Sequence, residues 1–115
     1  MENFKVFTLN EKTFPQESVY NFIQDLHQNG QYIVTILDPG VKVEKNYLPY
    51  KRGCESKIWI QSARGGDLIG KVWPGRVVFP DWFHPNIEKW WFHELQTWIE
   101  EVPIDGRIFF CRNMM

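Results

Sequence analysis

Residues 15–29, "PQESVYNFIQDLHQN", place apolar side chains at Val19, Phe22, Ile23 and Leu26. That spacing is i, i+3, i+4, i+7, one face of a 3.6-residue period, and it predicts a helix. Pro15 suits the first helical position and Gly30 suits the left-handed residue just past the end. The next stretch, Tyr32 to Leu37, is a nearly unbroken β-branched and aliphatic run. It predicts a strand buried on both faces of a parallel sheet, ending at the turn residues Asp38, Pro39 and Gly40. Residues 41–70 show neither period and read as irregular, with one strand-like piece at "KIWIQ". "RVVFPDW" then predicts a second short strand. In "HPNIEKWWFHELQTWIEEVP" the residues Ile87, Trp90, Trp91, Leu95, Trp98, Ile99 and Val102 form one apolar stripe. Pro85 opens this second helix and Pro103 stops it. After an "IDG" turn, "RIFFC" predicts a third strand. Strands and helices alternating in this way predict an α/β fold of βαβ units, with a parallel sheet and right-handed crossovers.

Composition narrows the class. With 115 residues the chain is at most one small domain, and 43% apolar with 23% charged residues is a globular balance. A formal charge of -1 leaves no footprint for nucleic acid or an acidic membrane. The aromatic load is unusual, at 6 Trp, 9 Phe and 4 Tyr. Such residues fill a bulky core, or they form a platform for a flat ligand or sugar ring. The segment "GKVWPGRVVFPDWFHPN", Gly70 to Asn86, concentrates aromatics among prolines and glycines. Those residues stiffen its path, so Trp73 is expected to be held facing a ligand. Cys54 and Cys111 lie in no metal-like spacing and read as free thiols. No stretch reaches the length of a membrane span, and "MENFKVFTLNEKTFP" lacks the apolar run of a signal peptide.

Few residues offer chemistry. Asp38 and Asp81 sit at the ends of predicted strands, where loops of α/β sheets bind ligands. A pair of carboxylates there suits glycosidic bond cleavage, although Asp38 before Pro39 also reads as a turn-former. Asp67 and Asp105 each neighbour a glycine and read as turn residues. His84 flanks the Trp-rich helix, while His27 and His93 lie on helices without the i, i+4 partner of a zinc site. No nucleophile-elbow serine and no phosphate-binding glycine pattern is present.

The segments "FIQDLHQNGQYIVTILDPGV", "IGKVWPG", "VVFPDW", "HPNIEKWW" and "VPIDG" resemble successive pieces of the catalytic barrel of glycoside hydrolase family 31, the α-glucosidases. The similarity runs over nearly the whole chain. It implies a fragment of a (β/α)8 TIM barrel, with about three parallel strands and two main helices, over residues 1–115 and a divergent tail at 107–115. It also implies a retaining mechanism on α-linked glucosides, with an Asp nucleophile, a separate Asp acid/base, and no metal or organic cofactor. Trp73 matches the Trp of the family's "VWPG" loop, which lines the subsite for the non-reducing glucose. Val41 matches an aliphatic residue touching the same sugar, and Asp38 matches a strand-end Asp near the pocket.

Three departures from the family pattern bear on activity. A sugar-binding Asp belongs upstream of Met1, and the acid/base Asp belongs beyond Met115. Counting from Gly106, the nucleophile's place falls on Phe110, and a phenyl ring cannot form a glycosyl ester. The expectation is therefore an α-glucosidase barrel piece, inactive alone and prone to self-association. The alternative is a carbohydrate-binding or regulatory module that kept the Trp73 loop. Localisation stays open, since members of the family are secreted, lysosomal or in the endoplasmic reticulum.

Overall fold

The first predicted helix forms as α1, Gln16–Gln28, directly behind Pro15. It ends in paired bonds from Gly30 N–H to the His27 carbonyl and from Gln31 N–H to the Leu26 carbonyl, which satisfy carbonyls the helix leaves open. The computed structural model describes residues 1–109. A 3-10 turn at Glu2–Phe4 precedes α1. The chain continues through β1, Val34–Leu37; β2, Val41–Lys42; α2, Leu48–Ser56; β3, Gly70–Val72; β4, Gly75–Val78; α3, Ile87–Glu101; and β5, Gly106–Phe109.

Two sheets result. β1 and β5 pair in parallel, from Val34 opposite Gly106 to Leu37 opposite Phe109. The strands β2, β4 and β3 form a separate antiparallel sheet in that order. The prediction of three parallel strands is thus corrected, because "RVVFPDW" enters the antiparallel sheet as β4. A short turn is enough to join antiparallel neighbours, whereas a parallel pair needs a crossover of a dozen or more residues. Strand β4 follows β3 after only Trp73 and Pro74, so the hairpin wins locally. Everything between β1 and β5, residues 38–105, is one long crossover that carries its own small sheet.

The segment read as irregular also contains a helix. α2 carries Pro49 in its first turn, where proline is tolerated, holds Gly53, a poor helix residue, in its interior, and ends at Lys57 in the left-handed region. Tertiary contact explains it. A Cβ on Gly53 would lie 2.0 Å from Trp59 Cζ2, so the bare glycine lets the helix lie flat on a buried indole. The carboxylate of Glu94 on α3, 2% exposed, accepts two bonds of 2.6 Å from the Arg52 guanidinium on α2. This fork-to-fork pair joins the two helices.

The core has two parts. Val6, Leu37, Val41, Tyr47, Ile58, Trp59, Val78, Ile87, Trp90 and Leu95 form the larger, and Ile23, Trp98, Val102 and Ile104 the smaller. The predicted stripe of α3 is buried except for half-buried Trp91 and exposed Ile99. On α1 only Ile23 is buried, and Phe22 faces solvent.

Candidate functional site

The hairpin β3–β4 holds the candidate platform. Its connection is Trp73–Pro74, and the strand partners on either side are Val72 and Gly75. Neither Trp73 nor Pro74 has a positive φ; the left-handed conformation falls on Gly75, at φ 98°. A side chain at Gly75 would be strained there, so glycine closes the turn. Proline fixes its own φ beside the indole. Trp73 is 81% exposed at this tip, where hydrophobic burial alone would draw an indole inward.

The end of β1 lies beside the same hairpin. A Cβ on Gly40 would fall 3.0 Å from a methyl of Val72 and 3.3 Å from a methyl of Val77. The turn Asp38–Pro39–Gly40 therefore runs against the base of the hairpin that carries Trp73. Asp38 is half-buried and makes no hydrogen bond or ion pair with another described residue. Val41 differs from the expectation. Its side chain is 2% exposed within the larger core and sits opposite Val78 across β2 and β4. It seats the loop from beneath and presents no surface to a ligand.

The other aspartates have local duties. Asp81 follows β4 of the antiparallel sheet, not a strand of the parallel pair, and its carboxylate accepts the Phe83 N–H at 3.0 Å. That is an Asx turn, and it corrects the reading of Asp81 as a strand-end partner of Asp38. Asp67 accepts a bond from the Gln61 amide at 2.7 Å. Asp105 Oδ2 accepts the Ile33 N–H at 2.8 Å and meets His27 Nε2 at 2.8 Å. First the backbone N–H of Ile33 and then the His27 imidazole hold the Asp105 carboxyl below the usual carboxylate range.

His84 lies just before α3, its Nδ1 accepting the Asn86 N–H at 3.1 Å. Among the described residues no group of three or more His, Cys, Asp or Glu is placed to hold a metal ion, and no helix is long and apolar enough to cross a membrane. Cys54 is a free, exposed thiol, while Cys111 and Phe110 lie outside the described residues. An open groove of about 410 Å³ lies between α2 and α3, lined by Arg52, Glu55, Asn86, Lys89 and His93 among others; no predicted site residue borders it.

One neighbour of Trp73 had no signal in the sequence. The Phe4 ring meets the Trp73 ring edge-on, with centroids 6.0 Å apart and planes at 76°. Phe4 lies sixty-nine positions upstream in a stretch with no period, and only the tertiary fold brings the two together.

Relatives of known class match over most of the chain. An α-glucosidase of Mucor javanicus is 42% identical over 106 residues, covering 92% of this chain and 12% of the relative. Intestinal sucrase-isomaltase of Suncus murinus is 40% identical over 112 residues, covering 92% of this chain and 6% of the relative. The crystal structure of a family 31 α-glucosidase from Bacteroides thetaiotaomicron superposes with a TM-score of 0.80 at 36% identity, over 93% of this chain and 18% of that one. The chain thus spans a small part of the length of these relatives. The sequence profile of the glycosyl hydrolases family 31 TIM-barrel domain matches residues 1–109. On that match and those identities, the chain belongs to glycoside hydrolase family 31, as a piece of its catalytic barrel.

Proposed function

We propose that this chain contributes the glucose-facing loop of an α-glucosidase barrel and does not turn substrate over by itself. The exposure of Trp73 at the tip of a braced hairpin carries the reading. A pyranose ring offers a face of C–H bonds, and an indole held in water offers a flat apolar surface to match it. Asp38, near the base of that hairpin and without a protein partner among the described residues, supplies an acceptor for a sugar hydroxyl. The names of the relatives support an α-linked glucoside as the sugar.

The carboxylates support the absence of turnover. Retaining hydrolysis needs two of them flanking the bond, one as acid and one as nucleophile. Of the loop aspartates at 38, 67, 81 and 105, only Asp38 lacks a hydrogen-bond partner among the described residues. The family resemblance aligns the nucleophile with Phe110, which has no nucleophilic atom.

The test pairs two measurements on the purified chain. Incubation with an aryl α-glucoside is expected to release no phenol. Titration with maltose is expected to quench Trp fluorescence saturably, with a Kd on the order of millimolar for a single platform. Turnover that co-purifies with the chain would overturn the inactivity and direct mutagenesis to Asp38. A flat titration would remove the sugar platform.

A further inference from the structure

We propose that Phe4 is a positioning residue for the Trp73 indole, the second wall of an aromatic corner that receives one sugar ring. The proposal rests on the reading of Trp73 as a sugar platform. Phe4 is 54% exposed and Trp73 81%, so neither ring is held by burial in the core. Their near-perpendicular contact is the favourable edge-to-face geometry for two aromatic rings.

The backbone around Phe4 shows why its place is specific. Asn3 has φ 47° and Phe4 φ 59°, left-handed conformations that non-glycine residues rarely adopt. Such conformations persist only where surrounding contacts impose them. On one side, Glu2 N–H donates to Thr8 Oγ1 at 2.9 Å, and that hydroxyl donates to the Lys5 carbonyl at 2.7 Å. On the other, Lys5 Nζ pairs with Glu44 at 3.0 Å, and the buried Tyr47 hydroxyl donates to the Val6 carbonyl. Glu44 and Tyr47 follow β2, and β2 is paired with β4, one arm of the hairpin that carries Trp73. Both rings therefore stand on one scaffold, although they lie far apart in the sequence.

An indole at the tip of a two-residue turn would otherwise rotate about its own side-chain bonds. A phenyl ring set across it selects one orientation. A pyranose lying on the indole then meets a preset surface and a second apolar wall at its edge. Pre-setting the platform removes part of the ordering cost of binding. Loss of the wall is expected to weaken maltose binding about fivefold, equivalent to about 1 kcal/mol.

The experiment uses the full chain labelled with 5-fluorotryptophan. Its Trp73 resonance is assigned by its disappearance in Trp73→Phe, and the other five of the 6 Trp report on the fold. In Phe4→Ala the Trp73 resonance is expected to move while the others stay, and maltose affinity to fall about fivefold. Phe4→Tyr is expected to keep both properties. An unmoved Trp73 resonance in Phe4→Ala overturns the proposal whatever the sugar does. So does a moved resonance with maltose affinity unchanged. A chain that binds no maltose, but whose Trp73 resonance moves, retires the sugar reading and sustains the contact between the rings. If Phe4→Ala disturbs all the Trp signals, Phe4→Leu decides: it keeps a large apolar side chain and removes the ring.

Discussion

Single residues set limits here that composition does not reveal. Gly53 is the sharpest. An added methyl would fall 2.0, 2.5 and 2.7 Å from three carbons of Trp59, itself 2% exposed and packed between Tyr50 and Trp90. An indole so enclosed has no free end to swing away. Gly53→Ala is expected to destabilise the chain by about 3 kcal/mol, read as a lower urea midpoint at unchanged slope. A midpoint equal to the parent's would mean that α2 lifts off Trp59 without cost. Asp105 sets a different limit. Its carboxyl is held below its ordinary value by Ile33 N–H and His27, so the folded state favours the ionised form. Stability from this group is fully present above the unfolded pKa and is lost as pH falls through the lowered folded one. Thermal scans from pH 6 down through about pH 4 and below should therefore show a declining midpoint. Asp105→Asn should be less stable at pH 6 and should flatten part of that decline. An equally steep decline in the variant would assign it elsewhere, with Glu44, also lowered by its bond to Lys5, the next carboxylate to change.

At the scale of elements, legibility followed local self-sufficiency. α1 and α3 were readable because their apolar residues repeat at helical spacing and prolines or glycine mark their ends. α2 was not, because Pro49, Gly53 and a run of polar residues erase the period. Its C-terminal end repeats the bonding of α1, with Lys57 N–H to the Cys54 carbonyl and Ile58 N–H to that of Gly53. A lysine occupies the left-handed position at φ 56°, where glycine ends α1 at φ 68°. Lys57→Gly is expected to stabilise the chain by about 1 kcal/mol, measured as a raised urea midpoint. A loss of stability would show that the unfolded-chain entropy added by glycine outweighs the relieved strain. The strands divide in the same way. The apolar runs of β1 and β5 mark both as strands of a parallel sheet, but nothing in them says that the two pair directly, and nothing in "RVVFPDW" announces an antiparallel partner.

At the scale of the whole molecule, one face of the parallel pair is uncovered: Val34 is 54% and Ile36 56% exposed, while Leu37 on the other face is buried. In a closed barrel, strands are covered on both faces, by helices outside and packed side chains within. The isolated chain is therefore expected to cover this face by self-association. Sedimentation velocity should show a mass rising above 13.8 kDa with concentration, reduced in a Val34→Lys, Ile36→Lys variant. A monomer at every concentration with a sharp two-state melt would contradict this.

What the sequence determined by itself was whatever depends on near neighbours along the chain: the two long helices, the β1 run and its Asp-Pro-Gly end, and the family those motifs carry. Periodicity and turn chemistry act over a few residues, so they survive in the text. The tertiary structure alone decided which strands pair, that α2 exists, that Val41 is buried and Asp81 closes a turn, and that Phe4 stands across Trp73. Each of those depends on atoms brought together from distant positions, and packing at close range obeys geometry that no local pattern encodes.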